Sequence, residues 1–201
     1  MLRKPVLALA ALALASAPAS AHHVMDGRMP ASFADGLLSG LGHPVIGIDH
    51  FLAVLAVGCL AAAHRAGPAL VAGFVLAMIA GAGVHLGDVS VPASEALVAL
   101  SVVGLGALML RREPLPVAAA LAVFALAGLL HGYALGESIV GAERTPLVAY
   151  LAGLAVIQSA VALAAMKATR LIAQPRPVRI AGAAVAVAGV VLLALQLMPS
   201  A

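Results

Sequence analysis

Two histidines and an aspartate in one short apolar stretch give this sequence its clearest chemical signal: His43-Pro44-Val45-Ile46-Gly47-Ile48-Asp49-His50, followed by an apolar run to Gly58. At 100° per residue, a helix through this stretch sets His43, Gly47, His50, Val54 and Gly58 within a stripe of about 80°. Two imidazoles and two small residues then share a face. Asp49 lies about 100° round from His50, a direction from which it either faces a different helix or orients an imidazole from behind. Carboxylates in apolar helices are costly and mark ion paths or proton relays. His85, Glu95, His131 and Glu137 are the other imidazoles and carboxylates that fall near the ends of apolar runs. Together the seven residues form a candidate metal-ligand set. Imidazole with carboxylate suits borderline divalent ions such as Ni²⁺, Co²⁺ and Zn²⁺, and the intrinsic affinity order does not choose among them.

Other chemistries have less to stand on. Cys59 is the single cysteine, so neither a thiolate cage nor a redox pair is available. The nucleophile pattern GxSxG and the metalloprotease pattern HExxH are absent, which argues against an enzyme. No Gly-rich loop ending in Lys-Ser/Thr is present, so any transport is secondary or facilitated rather than nucleotide-driven. The formal net charge of +3 is scattered, with no basic tract for a nucleic-acid backbone.

The elements that position the seven residues are those of a membrane protein. Of the 201 residues 64% are hydrophobic and only 9% charged, with a mean hydropathy of +1.14, whereas soluble domains carry roughly a quarter charged residues. The apolar mass is Ala, Leu, Val and Gly, with 3% aromatics and no Trp. Helices of such composition pack closely. Residues 1–21 read as a cleaved signal peptide: Arg3 and Lys4, a short apolar stretch, then Ala19-Ser20-Ala21. Residues 22–43 follow as a periplasmic segment, in which His22 and His23 form a candidate capture point for metal. Residues 44–201 then form an all-α bundle of six transmembrane helices, each opened by proline: 44–63, 68–86, 92–110, 114–135, 146–166 and 177–198. Lys and Arg fix the orientation. Arg65, Arg111, Arg112, Lys167, Arg170, Arg176 and Arg179 fall in one set of loops, against Arg28 and Arg144 in the other. The first set is therefore cytoplasmic and both mature termini are periplasmic.

The stretch His43 to Gly58 fits the pattern HPxxGxDHxxxxxxxG and resembles the signature of the HupE/UreJ family of small membrane proteins. A Pro-x-x-Glu at Pro92–Glu95 and His131-Gly132-Tyr133-Ala134 extend the resemblance over nearly the whole mature chain; Leu135 stands where the family often has a second histidine. The resemblance implies an inner-membrane permease for nickel, with cobalt second, and hydrogenase or urease maturation proteins as partners. It implies no prosthetic group. A non-transporting metal-binding accessory protein and an integral-membrane metalloenzyme are the competing readings.

With six such helices, all seven residues fall within about 10 Å of the periplasmic boundary at 1.5 Å per residue. Gly128, Gly132 and Gly136 form a small-residue ridge beside His131. That ridge is expected to pack against the His43–Gly47–His50 stripe so that the imidazoles share one ion. In the inner half Cys59, Met78, Ser101, Gln158 and Ser159 are the weak donors, each equally suited to packing.

Overall fold

The computed structural model describes residues 29–172 and 174–198. The signal peptide expected over residues 1–21, together with His22 and His23, lies outside them. The described residues form seven helices and no strand: α1 (Phe33–Ile46), α2 (Ile48–Ala61), α3 (Gly67–Leu86), α4 (Ser94–Met109), α5 (Val117–Glu137), α6 (Arg144–Leu171) and α7 (Pro175–Leu197).

The first apolar run departs from the single helix expected over 44–63. Helix starts eleven residues earlier because Ser32-Phe33-Ala34-Asp35 is a capping box: Ser32 Oγ accepts from the Asp35 N–H at 3.1 Å and Asp35 Oδ2 accepts from the Ser32 N–H at 3.0 Å. Pro44 therefore lies inside α1 instead of opening a helix. Its ring cannot supply the N–H that the Gly40 carbonyl would receive. The helix ends within three residues, Gly47 is extended (φ −70°, ψ 105°), and α2 departs at 78°. Asp49 sits in the first turn of α2, where the helix dipole favours a carboxylate.

Four helices, α3, α5, α6 and α7, are long and apolar enough to cross a membrane, or five spans if the bent pair α1–α2 counts as one. The run expected over 92–110 yields the 16-residue α4, about 24 Å long at 1.5 Å per residue. Six spans of full length are thus not what the described residues contain. The protein is nevertheless a membrane protein by composition and by these helices.

Small residues decide which helices meet. A Cβ added at Gly36 would strike the Pro146 carbonyl, at Gly40 the Tyr150 carbonyl, and at Gly58 the Ala162 carbonyl. α6 therefore packs against α1 before the break, in the same chain direction, and meets α2 after it. Gly106 and Gly182 bring α4 and α7 together in opposite directions. The ridge Gly128–Gly132–Gly136 does not face the first-run stripe as expected: it packs along α3, against Phe74, Met78 and Ala82. Gly81 of α3 answers it, facing Leu129 and Tyr133. Large apolar side chains such as Leu76, Leu126, Val148 and Val156 point outward, as lipid-facing residues do where lipid is as apolar as the interior.

A Cβ at Gly132 collides with backbone, which cannot yield as a side chain end can. Gly132→Ala should destabilise the protein by about 1–3 kcal/mol, whereas Gly104→Ala, with nothing within 4 Å, should be neutral or stabilising by up to about 1 kcal/mol. Melting temperatures of the two variants in detergent, against the parent protein, check this pair.

Candidate functional site

Three buried imidazoles meet where the broken first run passes α4 and α5. His43, on the last turn of α1, has its ring centroid 6.3 Å from that of His50 at the start of α2. The His50 and His131 centroids are 5.0 Å apart and nearly perpendicular, and their Nδ1 atoms are 2.8 Å apart. His43, His50 and His131 are 6%, 5% and 1% exposed. Gly47 is required there: a Cβ on it would lie 2.9 Å from His50 Cδ2 and 3.2 Å from Asp49 Oδ1.

Hydrogen-bond accounting assigns the ring protons. The Ser101 hydroxyl donates to the Val98 carbonyl at 2.7 Å, so its oxygen accepts from His131 Nε2–H at 2.8 Å. His131 Nδ1 then carries a lone pair and accepts from His50 Nδ1–H. His50 Nε2 is left turned toward Asp49 Oδ1 at 3.9 Å, and that same oxygen accepts the His50 backbone N–H at 2.8 Å. Asp49 thus holds the backbone of His50 and sets a carboxylate oxygen 3.9 Å from its ring, while Ser101 orients His131 from α4. Tyr150, fully buried, stands edge-on to His43 at 6.4 Å and is itself held by the Leu135 carbonyl and Ser138.

Of the seven candidate ligands, His43, Asp49, His50 and His131 are gathered here and three are not. The His85 ring lies tilted against Tyr133, their centroids 4.5 Å apart, and Tyr133 Oη accepts the Val91 N–H. Glu95 is exposed and its Oε2 accepts from Gln196 Nε2 at 2.7 Å, joining the start of α4 to the end of α7. Glu137 is exposed at the C-terminus of α5. Among the described residues no three or more His, Cys, Asp or Glu side chains converge as a ready-made metal cage.

The arrangement offers two nitrogen donors. Once His50 carries its proton on Nε2, the nitrogen toward Asp49, instead of on Nδ1, both Nδ1 atoms offer lone pairs and both rings stay neutral; ligands about 2.1 Å from a metal stand about 3 Å apart when they occupy neighbouring octahedral positions. Ser101 is the partner that sequence reasoning ranked only as a weak donor. The signal was there: it is the single polar side chain within α4 beyond its first two residues.

Comparison with known proteins decides the family. Residues 9–192 match the family model described as "HupE / UreJ protein". The chain belongs to the HupE/UreJ family. The described helices of this HupE/UreJ protein fall within that match up to the last turn of α7. It is 36% identical over 194 residues to Protein HupE of Rhizobium leguminosarum bv. viciae, covering 92% of this chain and 94% of the relative. No solved structure matches it.

The ring-proton assignment is open to measurement. Nitrogen-15 shifts should show His131 carrying its proton on Nε2 and His50 on Nδ1, and Ser101→Ala should release His131 into a mixture of tautomers. An unchanged spectrum in that variant would remove Ser101 from the site.

Proposed function

We propose that this HupE/UreJ protein is an inner-membrane permease that takes up divalent nickel, with cobalt as the second choice, by secondary or facilitated transport, and that its substrate first loses part of its water shell to the His50–His131 pair. The observation that supports this most is the 2.8 Å approach of two buried Nδ1 atoms, with Ser101 hydrogen-bonded to the far nitrogen of His131 and an Asp49 oxygen 3.9 Å from the far nitrogen of His50. Such a pair binds an ion when the His50 proton moves from Nδ1 to Nε2, on the side of Asp49, so that both rings stay neutral. Two nitrogens leave the ion with other positions filled by water, which suits an ion that must move on rather than stay. His43 stands next to the pair and supplies the next imidazole as the ion approaches or leaves.

The metal itself is argued from the family resemblance, as are delivery to hydrogenase or urease maturation proteins and the absence of an enzymatic step. The orientation, with mature termini on the periplasmic side, follows from the distribution of Lys and Arg. His85, Glu95 and Glu137 stand apart from the pair, so they act in this reading on the approach to it or in holding the helix ends.

Uptake of Ni²⁺ by cells, with Co²⁺ and Zn²⁺ as competitors, tests the proposal. His50→Ala and His131→Ala should each lower uptake by about tenfold or more at unchanged protein level, since removing a polar group does not hinder insertion. Protons and metal compete for the same nitrogen lone pairs, so uptake should fall as the outer pH is lowered from about 7.5 to about 5.5. Binding by the purified protein without accumulation in cells would make it an accessory metal-binding protein instead.

A further inference from the structure

Beyond the last turn of α4 the bundle has a recess. α4 ends at Met109, where Gly182 lets α7 close on it. α7 runs the other way and begins at Pro175, about 10 Å past that contact at 1.5 Å per residue. The space left is a cavity of about 140 Å³ between the ends of α2, α4, α5 and α7, room for about four waters or one phosphate group. Its wall is apolar: Leu60, Leu108, Leu115 and Val178 are half-buried there, with the fully buried Phe124 behind them. His64, Arg111 and Arg112 line it as well.

The two arginines have donors left over. Arg111 Nε–H reaches the Glu113 carbonyl at 3.4 Å, and Arg112 has no hydrogen-bond partner among the described residues. Glu113, the carboxylate on the same cavity, forms no ion pair with either among the described residues. Arg179 of α7, next to Val178 and about one turn from Gly182, has its Nε buried without a partner. Neighbouring guanidiniums beside an apolar wall repel one another and repel any cation. Their planar forks match a phosphate.

The wall decides which phosphate. A free anion would leave Leu60, Leu108 and Val178 facing water, whereas a phospholipid covers them with the methylenes next to its headgroup. Basic pockets between membrane helices bind anionic headgroups in this way. We infer that the recess is a binding site for an anionic phospholipid, its phosphate on Arg111 and Arg112 and the first methylenes of its chains on the apolar wall. The lipid joins the loop after α4 to the start of α7, where α4 is too short to do so itself. The site is independent of the metal; only the leaflet it faces rests on the orientation read from Lys and Arg.

The test uses the full chain purified in a mild detergent, with phosphatidylglycerol as the probe, phosphatidylcholine as the neutral lipid and inorganic phosphate as the free anion. Phosphatidylglycerol should raise the melting temperature above that in phosphatidylcholine. Cys59, the single cysteine, lies half-buried on the cavity wall and reports occupancy. Its labelling by a small methanethiosulfonate should slow by about tenfold when phosphatidylglycerol stands at about ten times its Kd, and should not slow with phosphatidylcholine or phosphate. Arg111→Gln with Arg112→Gln should weaken phosphatidylglycerol binding by about tenfold or more, with the melting temperature in phosphatidylcholine unchanged. Arg65→Gln with Arg176→Gln removes the same charge from exposed positions outside the cavity and should leave binding as in the parent. No preference for phosphatidylglycerol, an equal loss in the two double variants, or a melting rise without protection of Cys59 would overturn the site. Protection by phosphate as strong as that by phosphatidylglycerol would make it a free-anion site and contradict the lipid.

Discussion

Pro44 has no N–H, and its ring cannot share space with the carbonyl of the residue four before it; from that local deficit follows the arrangement on which the imidazole site depends. The helix that begins at the Ser32 cap stops at Ile46, and Gly47 turns the chain by 78° into α2. On a straight helix His43 and His50 would be separated by about 10 Å along the axis. Across the break their rings stand 6.3 Å apart. The break also starts α2 with Asp49, so the positive end of that helix faces the carboxylate that holds the backbone of His50.

A break of this kind survives in an apolar interior only where neighbouring protein covers the backbone ends. α6 provides the cover, since Gly36, Gly40 and its own Gly153 let α1 lie against it on one side of the break, and Gly58 lets α2 do so on the other. Glycines on α3 and α5 do the equivalent at the other wall, where backbone meets backbone from Phe74 to Ala82. That close pairing fixes the height of α5, and with it His131, against the hydroxyl of Ser101. The imidazole contact is thus set by packing at three separate helix crossings, none of which contains a ligand.

The helical character of the chain, its apolar runs and the nearness of His43, Asp49 and His50 were legible because composition and spacing carry them directly. The start of α1 lies upstream of Pro44 because the Ser32–Asp35 cap is a stronger local signal than a proline able to open a helix. The partner of the glycine ridge was misjudged for a different reason. Small residues announce that a backbone will come close but not which one, and Gly81 on α3 competed successfully with Gly47, whose missing Cβ makes room for its own His50. Glu95 and Glu137 could not be sorted by depth alone, because side chains at the same level can face the bundle or leave it. Ser101 and Gln158 were visible as isolated polar residues, and only the packing distinguishes the hydroxyl that positions His131 from the amide left unmatched at the break.

The central claim is that two imidazoles, one from α2 and one from α5, bind one ion through Nδ1. X-ray absorption at the nickel edge of the purified, Ni²⁺-loaded protein tests it most directly, because imidazole rings give outer-shell scattering that water and carboxylate do not. The account predicts scattering from two imidazoles at ordinary nickel–nitrogen distances, with the remaining positions filled by oxygen, and one imidazole fewer in His131→Ala. A spectrum of oxygen ligands alone, or one unchanged by His131→Ala, would contradict it.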